Sequence, residues 1–131
     1  MTYNKYNSSK ARCSQGHIHD SRKEARRCNE LTLLERAGQI TNLRQQVKYV
    51  LIPAQREFNG GWYSKGVNKG QPKPGKIIER ECAYIADFAY TENGAEVVED
   101  VKGYTAGQAY AVFKIKKKLM LYVHGIRIRE I

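Results

Sequence analysis

Asp87, Asp100 and Lys102 are the residues of this 131-residue chain whose types and spacing point most directly to chemistry. They lie in the run from Ala83 to Lys102, where Asn93-Gly94 separates two apolar stretches. Both turn residues tolerate the positive φ of a type I′ turn, so the run reads as a β-hairpin. A turn centred there pairs Glu92 with Ala95 and, further out, Asp87 with Asp100. Side chains alternate faces along a strand, which sets Lys102 beside Asp100 and turns Glu99 away. Facing carboxylates, with Cβ atoms about 5 Å apart, repel each other unless a cation lies between them. The pattern suits a divalent metal with an ammonium group beside it.

A third acid comes from Ser21-Arg22-Lys23-Glu24, which has two readings. As a capping box, Glu24 bonds back to the Ser21 amide. On a helical wheel, Glu24 also falls within the arc of Ala25, Cys28 and Leu31, so it faces the sheet and suits a metal or water ligand, while Glu30 faces solvent. Gln46 is either a contact to metal-bound water or phosphate, or an ordinary polar strand residue. A separate group, Cys13, His17, His19 and Cys28, offers four ligands within sixteen residues for a tetrahedral structural zinc. Its spacing lacks the paired Cys-x-x-Cys knuckle, and Cys28 also reads as a small buried hydrophobe.

These residues need elements to position them. Residues 1–20 read as irregular and basic. Ser21 opens a helix to about Ala37, with Gly38 as its stop. Gln45 to Ile52 reads as a strand ended by Pro53, and residues 58–76 as a mobile Gly/Pro/Lys-rich loop. Strands follow over 78–90 and 96–102, then a helix from Thr105 to Tyr122, then a strand from His124 to Ile131. The order αβββαβ predicts an α/β fold with a mixed central sheet flanked by helices.

The length predicts one domain, residues 1–131, burying about two thirds of its unfolded surface. No apolar run is long enough to span a bilayer, and the polar N-terminus does not read as a signal peptide, so no membrane partner is expected. Three cysteines without framework spacing point to a reduced, cytoplasmic setting. The net charge of +10 implies a polyanionic partner, nucleic acid first. Residues 1–28 carry +5 and residues 114–129 carry +6, while acids concentrate between 79 and 100. Basic flanks around an acidic centre suit a site that holds both phosphate and metal. Arg22 and Lys23 in the first flank, and Tyr110, Lys114, Lys117 and Lys118 on one face of the second helix, are the expected DNA contacts. A merely solvated helix face is the alternative.

The element order, with Ile85-Ala86-Asp87 on one strand and Asp100-Val101-Lys102 on the next, resembles the PD-(D/E)XK, or restriction-endonuclease-like, superfamily of metal-dependent nucleases. Ala86 stands where the pattern's name has proline, a position without a metal-binding atom. More closely, the chain resembles a family of small, mostly phage-borne proteins of that superfamily. The shared residues are Gly16 with Asp20-Ser21-Arg22-Lys23-Glu24-Ala25, Leu43 to Leu51, Ala86 to Tyr90, and Val97 to Gly103. The resemblance implies a restriction-endonuclease-like core and a Mg²⁺- or Mn²⁺-dependent endonuclease. Asp87, Asp100 and Glu24 would bind the metal and Lys102 would assist. It further implies a homodimer acting on branched DNA, as a Holliday-junction resolvase does in phage recombination or replication, in the host cytoplasm. The competing expectation is a non-catalytic nucleic-acid-binding module using the basic flanks and the loop around Trp62 and Tyr63.

Overall fold

Asn93 and Gly94 adopt φ values of 52° and 78°, the left-handed pair that a type I′ turn requires, and the hairpin closes where the sequence places it. The structure, a computed structural model, describes residues 9–103 and 105–131. In chain order its elements are β1 (Ala11–Arg12), β2 (Ile18–His19), α1 (Arg22–Arg36), β3 (Thr41–Ile52), β4 (Gln55–Arg56), β5 (Ile77–Glu79), β6 (Cys82–Glu92), β7 (Ala95–Asp100), α2 (Gly107–His124) and β8 (Arg129–Glu130).

The described residues divide into two compact units. The first comprises those up to Tyr49 and those from Tyr84 to Ile131; the second is Val50–Ala83. The main sheet has the order β3-β6-β7-β8. β6 and β7 pair antiparallel from Glu92↔Ala95 to Phe88↔Glu99, and β7 and β8 pair parallel. A parallel pair needs a crossover, and α2 supplies it. The fold is therefore mixed α/β with a mixed sheet and two helices.

Helix α1 begins where Ser21 Oγ accepts from the Glu24 amide at 3.1 Å. Its inner arc buries Ala25, Cys28 and Leu31 against Ile40, Phe88, Tyr90 and Val97, together with Cys13. Residues of alternate parity on and after β7 serve different partners. Val97 packs in this core and Glu99 meets Arg27 of α1, whereas Lys102 lies over Phe113 of α2.

Several expected boundaries move. β3 starts at Thr41 rather than Gln45, and the strand expected over 78–90 is split into β5 and β6. Helix α2 runs two residues further than expected, because Gly125 takes φ 69° as a left-handed C-cap and closes it after His124. That extension shortens the last strand to Arg129–Glu130. Residues 1–8, including Lys5 of the basic flank, lie outside the described residues. The rest of the segment expected to be irregular forms the β1–β2 hairpin, with Ala11 opposite His19.

Residues 58–76, expected as a loop, fold back on themselves. β4 and β5 pair antiparallel, Glu57 N donates to Lys76 O at 2.8 Å, Lys73 N to Gly61 O at 2.8 Å, and Tyr63 N to Gln71 O at 2.9 Å. The glycines permit this closeness. A Cβ on Gly75 would stand 2.0 Å from Glu57 O, and one on Gly60 2.2 Å from Pro74 O.

Candidate functional site

The antiparallel ladder ends one step short of the two aspartates. There Asp87 Oδ2 accepts from the Val101 amide at 2.8 Å, while Asp100 pairs with Glu130 on β8. Asp100 Oδ1 lies 2.9 Å from Lys102 Nζ, and Asp100 Oδ2 accepts from the Tyr84 hydroxyl at 2.6 Å. Lys102 Nζ sits 2.9 Å from the Phe113 ring centroid, which fixes the ammonium by a cation–π contact as well as by charge. Glu24 is buried, and its carboxyl lies close enough to Asp87 to act on it. Burial, then the Glu24 carboxyl, push Asp87 up to about 8, with the Asp100 charge adding to them and the Val101 amide pulling the other way. Asp87, Asp100, Glu24 and Lys102 thus come together.

Two details depart from the sequence reading. The Glu24 carboxylate accepts from the Asp20 amide at 3.0 Å, one residue before the expected Ser21 amide. The aspartates also have protein partners of their own, so their proximity does not depend on a cation. Tyr84 was not foreseen; its hydroxyl, with a pKa raised by burial and by Asp100, stays protonated as a donor.

The Cys/His group assembles as well. The β1–β2 turn is closed by Cys13 N donating to His17 O at 3.0 Å and Gly16 N to Cys13 O at 2.9 Å, with Gly16 at φ 85°. Ser14 N donates to Asn29 Oδ1 at 2.7 Å, which docks the turn on α1 below Cys28. The ligand atoms of Cys13, His17, His19 and Cys28 all lie within 4.8 Å of one another. The sulfurs are 3.1 Å apart, and His17 Nδ1 is 3.5 Å from Cys13 Sγ and 3.9 Å from Cys28 Sγ. A tetrahedral zinc with Cys and His ligands would set such atoms roughly 3.3–3.8 Å apart. This cluster could hold a metal such as zinc. Burial would raise the Cys13 thiol, but the Cys28 thiol, the nearby His19 ring and the neighbouring backbone outweigh it and lower Cys13 to about 7. Burial, then the hydrogen bond to Cys13 and its charge, push Cys28 up to about 12.

His19 is buried and lies between the two groups. Its Nδ1 is 3.5 Å from Glu24 Oε2, and its Nε2 has no hydrogen-bond partner among the described residues. Gln45, not singled out from the sequence, donates from Nε2 to His17 Nδ1 at 2.7 Å and to Cys28 Sγ at 3.5 Å. Its neighbour Gln46, read either as a water or phosphate contact or as an ordinary polar strand residue, is exposed at φ 51° and makes no side-chain hydrogen bond among the described residues.

Tyr110, Lys114, Lys117 and Lys118 line one groove of about 500 Å³, with Leu121, Arg127 and Glu130. Lys117 Nζ is 2.6 Å from Glu130, and Lys114 Nζ lies 4.9 Å from the Tyr110 ring centroid. Arg22 is exposed in a separate recess with Arg12 and Arg26. Lys23, expected as a DNA contact, is exposed and donates to Lys102 O at 2.7 Å and Ile131 O at 2.8 Å. Short-range spacing gave no sign of this contact, which joins residues 79 and 108 positions apart.

Glu99 turns away from Asp100, as expected, and into the core. Its oxygens accept from Arg27 Nε at 2.8 Å, Arg27 Nη2 at 2.6 Å and the Tyr90 hydroxyl at 2.5 Å.

Fold and site define a mixed α/β protein with a carboxylate centre, an adjoining Cys/His cluster and a basic groove. A family model described as "Protein of unknown function (DUF1064)" matches residues 3–128, and the chain belongs to that family. No curated protein and no solved structure matches it. Among the described residues no helix is long and apolar enough to cross a membrane.

Proposed function

We propose that the chain is a metal-dependent DNA endonuclease with a restriction-endonuclease-like core, acting on branched DNA. The convergence of Asp87, Asp100 and Glu24 with Lys102 carries this reading. The two helices and the four strands of the main sheet, α1, β3, β6, β7, α2 and β8, follow the order αβββαβ that such a core has by resemblance. A hard divalent cation fits the donor set. Carboxyls from α1, β6 and β7 meet there, and Asp87, pushed up to about 8, sits in an environment that a positive charge would relieve.

Asp87, Asp100 and Glu24 would hold Mg²⁺ or Mn²⁺. When bound, the ion supplies an activated water and charge stabilisation at phosphorus. Tyr84 holds Asp100 in place by its 2.6 Å hydrogen bond. Lys102, fixed by Asp100 and Phe113, would orient the attacking water or stabilise charge developing on the phosphoryl oxygens. Lys114 and Lys118, exposed in the groove, would neutralise backbone phosphates. By resemblance the working unit is a homodimer, and the setting phage recombination or replication in the host cytoplasm.

The test is cleavage of a labelled four-way junction, linear duplex and single strand, with Mg²⁺ or EDTA, beside Asp100→Asn. Expected are metal-dependent cutting of the junction and a loss of about 10²–10³-fold in the variant. Equal cutting of linear duplex would remove only the junction preference. Binding without cleavage under any divalent metal would favour the second reading, a non-catalytic nucleic-acid-binding module. The arm formed by residues 58–76 supports that reading, with Trp62 67% exposed amid Lys65, Lys69, Lys73 and Lys76.

For Cys13, His17, His19 and Cys28 we infer a structural Zn²⁺. Metal analysis of the purified protein should find one zinc per chain, and Cys28→Ser should lose it.

A further inference from the structure

We propose that Glu24 is shared by two metal centres, so that a metal in the Cys/His cluster positions the carboxylate centre for its own divalent ion. This rests on the endonuclease reading above for the second ion's site.

The geometry assigns a separate task to each end of two side chains. His19 has its buried, unpartnered Nε2 available to the Cys/His metal and its Nδ1 3.5 Å from Glu24 Oε2. A neutral imidazole coordinated through Nε2 must carry its hydrogen on Nδ1, so metal loading fixes the tautomer that donates to Glu24. Glu24 Oε2 also accepts from the Asp20 amide at 3.0 Å. That oxygen is therefore committed to the cluster side, and Oε1 remains for the side of Asp87. Without a metal on Nε2, His19 is free to carry its hydrogen there and turn a lone pair toward Glu24, which removes the donor. The arrangement is a carboxylate–histidine–metal relay whose carboxylate also belongs to a second site. His19 and Glu24 side chains are only 3% and 8% exposed, so water cannot readily substitute for either contact. His19 acts here as a positioning residue.

Loss of an outer partner of a metal ligand typically weakens metal binding about 10–100-fold. Coupling between two binding events is reciprocal, so each ion should tighten the other by the same factor. Occupancy of the Cys/His cluster is read with Co²⁺, through the visible absorption of tetrahedral thiolate-bound cobalt. Occupancy of the carboxylate centre is read with Mn²⁺, through the loss of the free-ion electron paramagnetic resonance signal.

Zinc-loaded protein should bind Mn²⁺ about tenfold more tightly than zinc-stripped protein. In Glu24→Gln that difference should vanish while the cobalt spectrum stays tetrahedral. If stripping unfolds the chain by circular dichroism, the reciprocal measurement decides on folded protein. Mn²⁺ should reduce the share of zinc that a chelator captures at equilibrium in the wild type and not in Glu24→Gln. Equal Mn²⁺ affinity in the loaded and stripped forms, or zinc capture indifferent to Mn²⁺, overturns the relay and leaves the endonuclease reading intact. Absence of Mn²⁺ binding in every form overturns both. Absence of the tetrahedral cobalt spectrum overturns the relay alone.

Discussion

Glu99 is fully buried, yet Arg27 and the Tyr90 hydroxyl meet both of its oxygens. Asp87, across the hairpin, has a single amide for support and carboxyls of Glu24 and Asp100 near it. Both are acids of one hairpin in low-dielectric surroundings. Glu99 is compensated by a bidentate guanidinium, which leaves it no role beyond holding α1 to the sheet. Asp87 keeps its charge only against resistance, and resistance of that kind is what a bound cation removes. A buried acid therefore signals a ligand site when its compensation is incomplete. Burial alone does not distinguish the two.

Removing Arg27 should break the compensated member most severely. Arg27→Ala strands Glu99 and should destabilise the fold by about 3–5 kcal/mol, read from urea midpoints. A loss below about 1 kcal/mol would show that Glu99 does not depend on Arg27 for its compensation, and the contrast with Asp87 would collapse.

The next largest effect is a pH dependence that belongs to Asp87. Its carboxyl is raised from 3.8 to about 8 on folding, so the folded state holds a proton that the unfolded chain has released. Stability from this group is intact at low pH and falls as pH rises toward the folded value. Between about pH 5 and pH 7 the metal-free wild type should lose on the order of 2 kcal/mol relative to Asp87→Asn. Melting curves of both proteins in chelator across that range provide the check. Parallel curves would mean that Asp87 is as well compensated as Glu99. Asp100→Asn should give no such gain, because that side chain already has Lys102 and Tyr84.

The smallest effect calibrates the other two. Glu96, on the same strand, is ion-paired with Arg44 at an exposed position. Arg44→Ala should cost about 0.2–1 kcal/mol and less in high salt, since solvent screens the pair. A larger loss would make the Arg27 result unremarkable for this strand.

The hairpin was legible because Asn93-Gly94 sets both turn and register, so Asp87, Asp100 and Lys102 could be placed by counting. Glu24 was legible by helical periodicity with Ala25 and Cys28. The four ligands of the Cys/His cluster could be grouped by proximity in sequence, but the turn that joins them depends on Gly16 in a left-handed conformation and on Asn29 docking Ser14. Gln45 rather than Gln46 faces that cluster because it shares the half-buried face of β3 with Leu43, Val47 and Tyr49, whereas Gln46 lies on the exposed face. The charge of Lys23 suggests an anionic partner, and its contacts to two carbonyls come from tertiary structure that local spacing does not show. The arm over 58–76 looked irregular by composition, yet its glycines are what let the backbones approach.

The turn at Asn93-Gly94 also sets the phase of β7. Adjacent residues on that strand, Glu99 and Asp100, answer to opposite surroundings, Arg27 and Tyr90 for one, Lys102 and Tyr84 for the other. One residue inserted into the turn would rotate the strand's phase by half a period. Asp100 would then be sent toward the guanidinium, and the longer Glu99 toward the tyrosine and lysine. A two-residue turn with no reactive group of its own thereby decides which acid is structural and which is available for chemistry.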